Sequence, residues 1–100
     1  MRREAQYHLR LYVTDHTLRS RQALAQLQRL CDEQLPDRYE LEVVDVLTCP
    51  EEAKAHRILA TPTVEKLLPH PMRRIIGDLA DIDKVLAGLE LHPAKAEVEE

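Results

Sequence analysis

Ile58-Leu59-Ala60-Thr61-Pro62-Thr63-Val64-Glu65-Lys66-Leu67-Leu68-Pro69-His70-Pro71-Met72-Arg73-Arg74-Ile75-Ile76-Gly77-Asp78-Leu79, with the run that follows it to Leu91, is the stretch on which the fold turns. Three of the chain's six prolines fall between positions 62 and 71, in a segment that is otherwise apolar and holds little Ser or Asn. Such a composition makes sharp turns and not a loose loop. Thr63 to Leu68 and Met72 to Ile76 read as the strands of a hairpin around Pro69-His70-Pro71, although Val64 to Leu68 also tolerates a helical turn. Downstream, Asp78 or Asp81 caps a helix whose Ile82, Val85, Leu86 and Leu89 recur at i, i+3, i+4 and i+7. Against that helix, Gly88 costs about 1 kcal/mol relative to Ala, and Leu89-Glu90-Leu91 alternates as a strand does. Residues 58–91 therefore support two parses, one ending in a helix and one in a strand.

Upstream the signals agree. His8 to Val13 alternates Leu9, Leu11 and Val13 with His8, Arg10 and Tyr12, the period of a strand. Thr17 or Ser20 caps a helix over about 18–34, with Ala23, Leu24, Leu27, Leu30 and Cys31 in one apolar stripe and Pro36-Asp37 as its stop. Tyr39 to Leu47, rich in valine and leucine, predicts a strand buried on both faces between parallel neighbours. Strand, helix and strand make a βαβ unit, for which a right-handed crossover is expected. Pro50-Glu51-Glu52 then opens a short helix to about Arg57, with acids placed at the positive end of its dipole.

At 100 residues and a formal net charge of −4, the chain is read as one domain over 1–92 with an acidic, flexible tail over 93–100. The negative charge argues against nucleic acid as the main partner. No apolar run approaches the ~18 residues that span a bilayer, and no signal-peptide core follows Met1, so a cytoplasmic protein is expected. Cys31 and Cys49 form neither a disulfide framework nor a zinc motif, and the five histidines show no i, i+4 pairing. With only two glycines, no Gly-rich loop cradles a phosphate.

Leu11-Tyr12-Val13 with the helix start Thr17 to Leu24, Val44-Asp45-Val46-Leu47, and above all Ile58 to Thr63 continuing through Arg73 to Leu79 and Lys84 to Leu89, resemble the KaiB family of circadian clock proteins. The resemblance spans about residues 7 to 91. It implies an α/β, thioredoxin-like and metamorphic fold: a resting βαββααβ arrangement, tetrameric or dimeric, and a switched βαβαββα monomer. It implies a non-enzymatic protein without cofactor or metal that docks on the KaiC hexameric ATPase. A clock-output sensor kinase and a KaiA-like protein are the further partners it implies.

Site residues follow from the same resemblance. Pro62, Pro69, Pro71, Gly88 and Glu90 match family positions tied to the fold switch; slow X-Pro isomerisation is expected to pace it. Gly88 and Glu90, a poor helix former and an acid near a helix C-terminus, are expected to hold the terminal helix in check. Arg57, Lys66, Arg73 and Arg74 are expected at the partner surface. Asp15-His16-Thr17-Leu18-Arg19-Ser20 departs from the family's usual Gly-Asn-Thr-Pro-Asn-Ser, as do Gln22 and His70. These departures bear on the partner, and they leave open an interaction module acting outside the clock, for instance in stress adaptation. A thiol oxidoreductase fits poorly, because no cysteine lies between the first strand and helix one.

Overall fold

Seven elements follow one another: β1 (Tyr7–Val13), α1 (Leu18–Gln34), β2 (Tyr39–Asp45), α2 (Pro50–Ala55), β3 (Thr63–Leu68), β4 (Arg73–Ile76) and α3 (Ile82–Gly88). The computed structural model describes residues 6–14 and 17–93, so the expectations for the Asp15-His16 loop and for the tail beyond Pro93 fall outside the described residues. Of the two parses of 58–91, the chain adopts the one with a hairpin and a closing helix. The order βαβαββα is that of the thioredoxin-like arrangement.

The strands form one mixed sheet in the order β2-β1-β3-β4. β1 is central, parallel to β2 and antiparallel to β3, with Leu11 opposite Val43 on one side and Val64 on the other. Its alternation gives the sheet two different faces. Tyr7, Leu9 and Leu11 join Leu27 and Leu30 of α1 and Val85 and Leu89 around α3 in one core, all at most 2% exposed. Arg10 and Tyr12 point the other way, toward α2.

Local chemistry sets the helix ends. The hydroxyl of Thr17 accepts from the Ser20 N–H at 3.1 Å and starts α1. Asp81, not Asp78, caps α3, accepting from the Lys84 N–H at 3.1 Å. α2 begins at Pro50 with Glu51 and Glu52 in its first turn, and buries only Ala53.

One expectation fails. β2 lies at the edge of the sheet, paired only with β1, and ends at Asp45. Val44 is buried but Val43 is 45% exposed. The run of valines predicts a strand covered on both faces, yet Glu40 and Glu42 alternate through it and remain in solvent. β2 is thus parallel to one neighbour and open on its outer side.

Cys31 lies in the core, and burial together with the neighbouring Asp32 pushes its thiol up to about 12. Cys49 is exposed. A maleimide or disulfide reagent at pH 8 is therefore expected to label one thiol per chain rapidly, at Cys49, and Cys31 only as the chain unfolds. Two fast equivalents would contradict this core.

Candidate functional site

The closing helix ends in an unusual cap. The Leu91 N–H bonds the Leu86 carbonyl at 2.9 Å and the Glu90 N–H bonds that of Ala87 at 3.2 Å, the paired bonds of a Schellman motif. The position after the cap residue, normally glycine, holds Glu90 at φ 56°. A side chain there costs about 1 kcal/mol. Arg73 of β4 holds it from the side, its Nε and Nη2 at 3.0 and 2.9 Å from Glu90 Oε2. With side chains 46% and 42% exposed, the pair contributes at most about 1 kcal/mol.

Glycine stands instead two residues earlier, inside the helix. A Cβ on Gly88 would lie 2.7 Å from Ile75 Cδ1 and 3.0 Å from Cγ1. The helix-weakening glycine is what lets α3 pack against β4. In this fold Gly88 marks a close approach, and Glu90 lies outside the helix with its charge met by Arg73.

The opposite face of the sheet carries a polar cluster under α2. Glu65 of β3 is 0% exposed. It accepts from Tyr12 Oη at 3.2 Å, and from Arg74 Nε and Nη2 at 3.2 and 2.5 Å. His56 Nδ1 lies 3.4 Å from the same carboxylate. A buried carboxylate is tolerated only when so compensated. Arg74 Nη2 also donates to the His56 carbonyl at 2.6 Å, tying β4 to the end of α2.

Arg10 completes the cluster, reaching Tyr12 Oη at 3.3 Å, Glu52 at 3.3 Å and Glu42 at 3.0 Å. It also meets His56 Nε2 at 3.5 Å. A guanidinium only donates, so where this contact is a hydrogen bond Nε2 accepts and the imidazole proton sits on Nδ1, facing Glu65. Burial pushes the Tyr12 phenol above its usual value, keeping it a donor to Glu65. The hydrogen bond to Tyr12 raises the Arg10 guanidinium further.

The residues expected at the site are thus divided among several places. Gly88, Glu90 and Arg73 come together, joined by Ile75. Pro62 is buried beside Leu18, Gln22, Gly77 and Leu79 in a cleft of about 590 Å³, while Pro69 and Pro71 are exposed at the hairpin tip. The peptide bonds before Pro62, Pro69 and Pro71 are cis. Arg57 is exposed, at φ 57°, in the turn after α2.

Lys66, expected at a partner surface, is 2% exposed and offers no contact in this fold. Its register places it opposite Leu9, on the core side of β3. Arg74 is an internal strut and not a free cation. Sequence reading missed Glu65, Tyr12, Arg10 and His56; the available signal was a charge of each sign, Glu65 and Arg74, at adjoining strand positions.

Fold and site define a thioredoxin-like α/β protein with no cysteine at the start of its first helix, where thiol chemistry would need one. By structure it is similar to the N-terminal domain of Synechococcus elongatus SasA, with a TM-score of 0.71 at 20% identity, covering 97% of this chain and 92% of that domain. Mitochondrial thioredoxin 3 from Saccharomyces cerevisiae gives 0.68 at 17% identity, over 87% and 79%. A family model described as the KaiB domain matches residues 10–91. The chain is 47% identical to the circadian clock protein KaiB3 of Synechocystis, over 90% of this chain and 88% of that one. It is 49% identical to the circadian clock oscillator protein KaiB of Prochlorococcus marinus, over 85% and 79%. The chain belongs to the KaiB family.

The close approach of Gly88 and Ile75 has a measurable consequence. Added to Ile75→Ala, which removes both close atoms, Gly88→Ala should raise the urea-unfolding free energy by about 1 kcal/mol, the full helix-propensity gain. Added to the native chain it should yield less than half of that. Equal gains in both backgrounds would remove the steric reason for the glycine.

Proposed function

We propose that this chain is a non-enzymatic regulator of a KaiC-type hexameric ATPase, docking on its ring in the thioredoxin-like form. The observation that carries the reading is the family match across residues 10–91, with relatives nearly half identical and named as clock proteins. The fold likeness to a domain of SasA supports a shape suited to the same machinery. No helix among the described residues is long and apolar enough to cross a membrane.

In this reading the chain also has a resting oligomeric form of order βαββααβ, in which residues near Leu89 to Leu91 are extended. The αL position of Glu90 and the glycine inside α3 favour leaving the helical form, while Arg73 and the tight packing on Ile75 retain it. Pro62, Pro69 and Pro71 bracket the segment that rearranges. Arg57 is the cation placed to meet an acidic ring surface. Lys66, Arg73 and Arg74 serve such a surface only where the hairpin repacks and releases them. A sensor kinase and a KaiA-like protein remain proposed further partners.

Mixing the purified chain with its organism's KaiC and ATP, and following the mixture by size exclusion over hours, tests the reading. A complex that grows slowly is expected, and one that grows faster with the Gly88→Ala variant. No complex with either protein would contradict it.

A further inference from the structure

We propose that Lys66 is a buried, uncompensated charge that loosens the seat of α3: its ammonium is sealed under the turn from Gly88 to Leu91 while that turn is docked, and reaches water only when the turn lifts. This rests on the reading that the chain has a second arrangement, and names a group on the core side that drives the closing helix out of this one.

Strand parity places Lys66 on the core side. Val64, two residues before it, is wholly buried opposite Leu11, and Lys66 follows on the same side of β3 opposite Leu9. It is 2% exposed. Among the described residues it makes no ion pair and donates no hydrogen bond. Glu65 beside it is buried too, yet has Tyr12, Arg74 and His56 around its carboxylate. The sheet thus compensates its buried acid and leaves its buried base without an acceptor.

The neighbouring charge adds to the cost. Lys66 and Arg73 are direct cross-strand partners, and like charges at that spacing repel. Glu90 meets this side of the hairpin, but its Oε2 is taken by Arg73 Nε and Nη2 at 3.0 and 2.9 Å. Two adjacent cations therefore face one carboxylate, and it bonds only Arg73.

The end of the closing helix covers this side of the hairpin, with Gly88 close to Ile75 and Glu90 on Arg73. Leu89 and Leu91, both buried, favour keeping the cover in place. Lys66 opposes them, because an ammonium without an acceptor is among the costliest groups to keep from water. Its hydrocarbon stem packs as methionine does, so the opposition comes from the charged end alone.

The test has two arms. In the first, Lys66→Met keeps the stem and removes the charge. Its thermal midpoint should rise by about 5 °C or more. Exchange of the Leu89, Glu90 and Leu91 amides, which bond Val85, Ala87 and Leu86, should slow about 10-fold or more. Lys66→Leu should change both in the same direction, and Lys66→Arg, which retains the charge, should stabilise neither.

In the second arm the unsubstituted chain is treated with trace acetic anhydride and each lysine is followed by mass spectrometry. Lys54 and Lys84, both exposed, should be acetylated first, and Lys66 about 10-fold or more slowly. Glu90→Ala, which frees Arg73 and loosens the turn, should speed Lys66 and leave Lys54 unchanged. Lys66 reacting as fast as Lys54, or both apolar variants melting at or below the unsubstituted chain, would overturn the proposal. Should the chain keep to one arrangement under every condition, the two-arrangement reading falls, and the melting, exchange and acetylation results still decide the role of Lys66.

Discussion

The carboxylate of Glu65, wholly out of solvent, is the constraint to which the rest of the molecule answers. A buried charge without partners is too costly to keep, so each element around it must deliver a donor. β1 delivers the Tyr12 phenol, β4 the Arg74 guanidinium and the turn after α2 the His56 ring. Glu65 and Arg74 are direct cross-strand partners, so this demand also sets the hairpin register. A slip of one residue would turn Glu65 into the apolar core beside Leu9 and Leu11 and carry Val64 out of it. The same pair that satisfies the charge therefore orients both faces of the sheet.

The closing helix is held by a weaker balance. Its cap has the hydrogen bonds of a Schellman motif but the wrong residue for it, with glutamate where glycine is favoured and glycine inside the helix. Each mismatch has a structural offset. Arg73 meets the charge of Glu90, and Ile75 fills the space that a Cβ on Gly88 would take. Costs and offsets are each about 1 kcal/mol or less, so the end of α3 sits close to indifference. Such a balance fits the two arrangements proposed above for this chain.

Much of this was legible in the amino-acid order. The alternation of β1, the apolar stripe of α1 with Cys31 on it, and the hairpin strands emerge because their periods are strong and local. The edge position of β2 was not, since a run of valines reads as burial while strand order is set by distant partners. Lys66 read as a surface cation, because nothing local says that β3 is covered on both faces. The Glu65 cluster joins residues from positions 10 to 74, and only the register brings them together. The choice between helix and strand near Gly88 was undecidable from propensity, because the Ile75 contact that weighs on it is tertiary.

The most direct measurement is the set of backbone carbon chemical shifts for residues 82–91 in the isotopically labelled chain. Helical shifts are expected from Ile82 to Gly88, with a left-handed signature at Glu90 and a contact between Gly88 and the Ile75 side chain. Extended shifts from Val85 through Leu91, with no contact between Gly88 and Ile75, would contradict the βαβαββα arrangement.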